Sequence, residues 1–559
     1  MPPSVRLARN FFPLLLAATV LIPLASASGP YSIGSANTVT ADPKVRRPST
    51  TPCVVQLFSG AQFVDFNVEN FIYAPPTDCP GPWAKVVLEA DISLNAGIQF
   101  DRTANFWLGP VNIYFGTTAE PSPSFGPSWH IENDLTDYSS IFYTAQTGQA
   151  NIGNIIGTDG LTSTIYASAS LEFYPLAKGE NSPVAADQVL ALSAGPTGGT
   201  VALNTTASTL FGTFDFPPNV RAAYLDVYAQ SQSNDEFWYT CSPNDVETEL
   251  QTGCGDTGFR ETEITIDGQP AGVAPVFPWI FTGGIDPFLW SPIPGVQTLN
   301  FIPYRVNLTP FAGLLSNGVP HTVSLSVFNA DSYFSATASL LVYRDPTSPM
   351  ITGAITQNTL GAAPSPAIKE NLNVQPTSIK GTVDVSSNRS FVISGYADTS
   401  HGKVTTKVFQ TVNFSNNQFF NITATEYVEN ISLGSTVFST TTTSGGGEAT
   451  TVTNESFNFP FILDLYEFVA SNGDTDLTTK ATQTYESSVT TWKNNFPSYA
   501  SFVSNTGRHV DTVDFNTGLN SDQSAEQQYF SVDSSSEPYF CSIAAKANVL
   551  TSFSPGCSK

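Results

Sequence analysis

Short segments that alternate apolar and polar residues recur along the chain, each cut off by Gly, Pro, Asn or Asp. In "AAYLDVYAQ", Leu225, Val227 and Ala229 fall on one side, with Asp226 and Tyr228 on the other. A period of two puts one row of side chains on each face of a strand, whereas a helix would need a period near 3.6. "TVSLSVFNA", "SATASLLVYR" and "STIYASASLEFYPL" behave the same way, and long helical periodicity is almost absent. Asp267-Gly268 in "TEITIDGQPAGV" is a two-residue hairpin signal between apolar runs. Forty Gly and forty Pro supply the breaks. Many short strands with turn chemistry between them predict an all-β chain of antiparallel sandwiches.

A chain of 559 residues exceeds what one hydrophobic core serves, so several domains are expected. Residues 1–27 place Arg6 and Arg9 before the apolar run "FFPLLLAATVLIPLA" and the small residues Ala25-Ser26-Ala27, the order of a secretory signal peptide. Residues 28–50 are expected to be an unstructured lead-in. A first sandwich is placed at 51–180 and a second at 210–345, with a linker at 346–370 and a C-terminal β-rich domain at 371–559. "STTTTSGGGEATT" (Ser439 to Thr451) has the low complexity of an exposed loop.

The formal net charge of −25 argues against nucleic acid and anionic membrane surfaces, which both need a basic face. Six cysteines in a secreted chain predict disulfides, with local pairs Cys53–Cys79, Cys241–Cys254 and Cys541–Cys557 the simplest choice. None has the spacing of a zinc or redox site, and no metal or cofactor is expected. Sequons begin at Asn204, Asn307, Asn388, Asn413, Asn421, Asn430 and Asn454 and could carry glycans. No G-x-S-x-G, H-E-x-x-H, P-loop or G-x-G-x-x-G motif is present. With four His in the chain, carboxylates and Arg are the candidate catalysts; His130 in "PSWHIEND" is read as structural.

Three clusters set charge against aromatic residues: Asp101 and Arg102 in "QFDRTANFWLG", Asp235 and Glu236 in "SNDEFWY", and Arg260, Glu261 and Glu263 in "GFRETEI". Burial raises a carboxyl pKa while a nearby Arg holds another ionised, so two acids in unlike surroundings can divide acid and base duties. Each cluster taken singly reads better as an acid–Arg pair that fixes a loop, or as a solvated face.

The stretch "PWAKVVLEADI…GIQFDRTANFWLGPVNIYFGTTAEP…WHIENDLTDYSSIF" resembles the start of the secreted peptide-N-glycanase A (glycopeptide amidase) family. "NDEFWY", "GFRETEITIDGQPAG", "FPWIFTGGIDPFLWSPI" and "YRVNLTPFAGLL" follow in that family's order. Pro110 and Asp286 stand where the pattern leads one to expect Gly and Asn. The resemblance implies two packed jelly-roll sandwiches with acidic residues at their junction. It also implies hydrolysis of the amide joining an N-glycan to Asn, with N-glycoproteins or glycopeptides as substrate. Asp101 is then the candidate for activating water and Glu236 for the partner acid, with Glu261 in reserve. Candidate substrate contacts are Arg102, Trp107, Asn154, Asn234, Asp235, Trp238 and Arg260, and strand alternation would put Glu236 and Trp238 on one face. A monomer is expected. A carboxylate glycosidase or a non-catalytic glycan-binding β protein stays open at this point.

Overall fold

The computed structural model describes residues 31–158 and 160–558, so the expected signal peptide at 1–27 lies outside the described residues. Sheets dominate. One four-stranded sheet runs Cys53–Phe63, Ile165–Pro175, Trp83–Leu94, Ser128–Asp134, and a second runs Glu69–Tyr73, Gln146–Ile152, Thr103–Leu108, Val111–Thr117. Counted along the chain, these eight strands lie in orders 1-8-3-6 and 2-7-4-5, the interleaving of a jelly roll. The pattern then repeats. Counting from Val201–Leu203 to Tyr333–Arg344, eight strands again form sheets 1-8-3-6 and 2-7-4-5, and Gln188–Leu192 adds to the outer edge of Tyr333–Arg344. Each jelly roll buries its alternating apolar rows between its two sheets, as in His321–Phe328, where every second residue is buried.

The two jelly rolls are joined by backbone as well as side chains. Residues 298–301 lie along the edge strand Val111–Thr117: Thr117 N–H donates to Thr298 O and Phe301 N–H to Phe115 O, both at 2.8 Å. Arg305 grips Asp226 beside it (2.7 Å) and Asp137 across the junction (2.7 Å), while Tyr138 Oη donates to Asp226 at 2.8 Å. A joint built from strand pairing and charged bonds resists hinge motion, which matters for any site that straddles it.

The remaining strands form one eleven-stranded antiparallel sheet, mostly a meander of strands up to 22 residues long. Its inner face packs on the second jelly roll, and Val383, Phe391, Phe414 and Phe461 share a core with Leu225, Trp238 and Phe259. Two expected irregular segments are sheet instead. Thr352–Asn358 and Ala367–Gln375, within and just beyond the expected linker, both pair with Ser378–Thr399. The Thr-rich run from Ser439 continues the strand Glu426–Gly445, because β-branched Thr suits a pleated ladder; only 446–450 leave it. Residues 31–50 of the lead-in have no strand yet are strapped down. Val39 N–H reaches Pro292 O (3.1 Å), Ala41 N–H reaches Gln527 Oε1 (2.7 Å), and Arg47 pairs with Glu89, Glu132 and Glu172.

Asp286 packs under this sheet, where it, Asp511 and His509 are each at most 1% exposed. Asp286 Oδ2 and both Asp511 oxygens lack hydrogen-bond partners among the described residues. Burial and the neighbouring Asp511 raise the Asp286 carboxyl to about 6. A raised carboxyl favours the folded state when protonated, so its contribution is present at pH 4 and is lost as pH rises through about 6. Asp286→Asn should therefore raise Tm at pH 7 by about 3 °C and leave it unchanged at pH 4. Thermal melts at the two pH values check this; equal gains at both would refute it.

Candidate active site

The site begins where Thr103–Leu108 and Val111–Thr117 run past their last ladder pair, Thr103 with Thr117. The two chains stay joined there, with Thr118 N–H donating to Arg102 O and Arg102 N–H to Thr118 Oγ1, both at 2.9 Å. This brings Asp101 and Glu120 side by side, and the Asp101 amide donates to Glu120 Oε1 at 3.0 Å. Arg102 Nη2 turns back to Gln99 Oε1 at 2.6 Å. Gly283, at φ +74°, lies against Glu120: a Cβ there would come within 2.4 Å of its carboxylate. Only a residue without a side chain permits that approach.

The second jelly roll supplies the third carboxyl. Its long strand Val220–Gln232 reaches the same edge, where the Gln230 amide and the Thr103 hydroxyl are hydrogen bonded at 3.1 Å. At Ser233 the backbone enters the left-handed region, φ 56°, and the strand ends. Two single turns follow, Ser233–Asp235 and Trp238–Thr240, with Glu236 between them. Asp235 anchors the turn. Its carboxylate accepts from Arg260 Nε (2.9 Å) and from the Asp331 and Ser332 amides (3.0 and 2.7 Å), and both Asp235 and Arg260 are buried.

The charges of Glu120 and Glu236 bear on Asp101, and that of Glu236 bears on Glu120. Burial holds Asp101 well above the usual carboxylate range; the charges of Glu236 and Glu120 push the same way, and Arg102 opposes them. Burial raises Glu120 to about 8 against the Asp101 amide and Arg102, and Glu236 adds to it. Burial alone carries Glu236 to about 7. Burial and like charge disfavour ionising all three together at neutral pH. One can act as base while another still holds the proton it will donate.

The structure therefore brings Asp101 and Glu236 together, flanked by Arg102, and adds Glu120. That residue carries one sequence signal: it is the only Asp, Glu, Lys or Arg between Arg102 and Glu132. Asn234 is exposed on the Glu236 turn. The other candidates are placed elsewhere. Trp238 is fully buried, 6.0 Å from the Phe414 ring, because the turn at Ser233 breaks the alternation that would have aligned it with Glu236. Trp107 is fully buried beneath Gly198. Asn154 is a buried brace, donating to Phe63 O and Ser163 O and accepting from Gln99. Asp235 and Arg260 hold the turn and have no exposed surface for a ligand. Glu261 and Glu263 point to the far interface, where Arg389 of the C-terminal sheet pairs with both. Phe100, one residue before Asp101, is 58% exposed.

One group of metal-ligand type occurs among the described residues: Glu89, His130 and Glu132, whose ligand atoms lie within 4.8 Å of one another. The Arg47 guanidinium already pairs with both of its carboxylates. Disulfides Cys53–Cys79, Cys241–Cys254 and Cys541–Cys557 are present, the second closing the loop that follows the Glu236 turn. Among the described residues no helix is long and apolar enough to cross a membrane.

Two fused jelly rolls with a shared carboxyl centre at their joint define the class of protein. The model of the peptide N-acetyl-β-D-glucosaminyl asparaginase amidase A family matches residues 43–359, and the chain belongs to that family. It is 32% identical over 364 residues to the peptide-N4-(N-acetyl-β-glucosaminyl)asparagine amidase A of Prunus dulcis, and the match spans 62% of each chain. Among solved structures it is similar to PNGF-II, with TM-score 0.37 and 12% identity over 52% of this chain and 66% of that one. It is also similar to PNGase F, a glycosylasparaginase from Flavobacterium meningosepticum, with TM-score 0.35 and 13% identity over 53% and 96%.

Proposed function

We propose that the protein is a secreted amidase that hydrolyses the glycosylasparagine bond of N-glycoproteins or glycopeptides. It releases the whole glycan as a glycosylamine, which then sheds ammonia, and converts Asn to Asp. The observation that carries this reading is the trio Asp101, Glu120 and Glu236, drawn from both jelly rolls and each raised above the usual carboxylate range. Family membership gives the reaction class, and the disulfides suit an oxidising compartment.

In this reading Asp101 takes a proton from a water that attacks the amide carbon of the glycosylated Asn. Asp101 must be ionised for this, and Glu120, whose carboxyl is raised to about 8, stays protonated beside it and adds no opposing charge. The Arg102 charge offsets the negative charge that builds there. Glu236, with its carboxyl near 7, gives a proton to the departing nitrogen, so the C–N bond breaks without expelling an amide anion. Phe100 offers the exposed ring that stacks on the proximal N-acetylglucosamine, the role that the buried Trp238 cannot fill.

The test is an incubation with a defined N-glycopeptide. Amidase action yields Asp peptide and intact glycan. A glycosidase would leave sugar on Asn, and a binding protein would change neither; either result would overturn the proposal. The pH profile gives a second expectation. If Glu236 acts as the acid, kcat/KM should fall above an apparent pKa of about 7 as it loses its proton. The residual activity of Glu236→Gln should lack that limb. A variant that keeps the alkaline limb would place the acid elsewhere.

A further inference from the structure

The C-terminal sheet lies almost wholly beyond the matched family region, yet two of its buried amides reach the catalytic turn. They sit two residues apart on the inner face of the strand Gly402–Ile422. Asn416 Nδ2 donates to Tyr239 O at 2.8 Å and to Gly258 O at 3.1 Å. Gln418 Nε2 donates to Tyr239 O and Cys241 O, both at 3.1 Å. Asn416 Oδ1 and Gln418 Oε1 have no partner among the described residues, so each amide serves here as donor only. Leaving a buried acceptor unpaired costs about 1–3 kcal/mol, a cost that the fold tolerates to keep the donor ends in place.

The carbonyls they meet need an outside donor. Residues 233–241 form two single turns without ladder pairing, so no neighbouring strand can satisfy Tyr239 O or Cys241 O. Gly258 is shaped to the contact, because a Cβ there would lie 2.2 Å from Asn416 Nδ2. Rings close around it: Phe414 is 4.8 Å from Phe259, and Phe461 is 4.6 Å from Tyr239. Glu236 stands three residues before the doubly held carbonyl, on a turn whose other end is pinned by Asp235 to Arg260.

We propose that Asn416 and Gln418 are positioning residues: the C-terminal sheet clamps the Tyr239–Cys241 backbone and so fixes where Glu236 meets the substrate. This rests on the amidase reading above, in which Glu236 is the acid. A displacement of about 1 Å in such a group can cost on the order of a hundredfold in rate.

The test compares the wild-type chain with Asn416→Leu, Gln418→Met and the double variant, which keep a side chain of similar length at each position and remove the donors. In the folded double variant, kcat on a glycopeptide should fall about 10- to 100-fold with KM within about twofold. Its alkaline limb should move away from the wild-type value, with each single variant giving a smaller loss. Hydrogen exchange at amides 236–241 should speed up at least about tenfold, while the first jelly roll stays unchanged. Wild-type kcat and exchange in the folded variants would overturn the clamp, as would losses confined to KM. A wild-type chain that fails to turn over would sink the amidase reading instead, and the exchange measurement would still decide whether the clamp exists.

Discussion

Asp101→Asn is expected to lower glycopeptide turnover by about a thousandfold while leaving the fold intact. Asn has the shape of Asp but cannot take a proton from water. The backbone around it is held independently of the carboxylate, through the Asp101 amide to Glu120 and the Arg102–Thr118 pairs. Removing one of three crowded carboxyls also relieves repulsion, so Tm should hold or rise. Turnover in purified variant and wild type, each checked by circular dichroism, decides the matter. Wild-type activity in a folded variant would remove Asp101 from the chemistry.

Glu236→Gln is expected to cost at least about a hundredfold in kcat, the usual worth of a general acid. Glu261→Gln, at the position that sequence reasoning holds in reserve, should stay within about twofold. The difference follows from placement. Glu236 lies with Asp101 and Glu120, whereas Glu261 is buried against Arg389 at the other face of the second jelly roll. Assays of both variants with one substrate make the comparison. If Glu261→Gln were the inactive one, the second jelly roll would contribute its acid from the far interface and the site as described would be wrong.

The strands were legible in the sequence because their period of two is a local property, as His321–Phe328 illustrates. That both sandwiches have the same 1-8-3-6 and 2-7-4-5 order was not, since strand order depends on long-range pairing that leaves no fixed sequence repeat. Asp101 and Glu236 stood out through their aromatic neighbours, yet those aromatics misled about contact. Trp238 turns inward because Ser233 adopts a left-handed backbone, which local alternation cannot anticipate. The partner that takes Glu261 out of the site is Arg389, 128 residues away. Glu120 stands among small and turn residues that give no sign of a site, and its meaning comes from the Asp101 amide and Gly283. The clamp from Asn416 and Gln418 was equally invisible, being two amides in a polar strand pattern.

Hydrolysis of a defined N-glycopeptide in ¹⁸O-labelled water, with mass spectrometry of the peptide product, tests the central claim most directly. Attack at the amide carbon places one labelled oxygen in the new Asp side chain and frees the intact glycan as an amine. The trio Asp101, Glu120 and Glu236 is predicted to give that product, and Asp101→Asn to give none in the same time. A peptide that emerges unlabelled with Asn at the site, bare or still bearing sugar, would mean attack at a sugar carbon and would contradict the account.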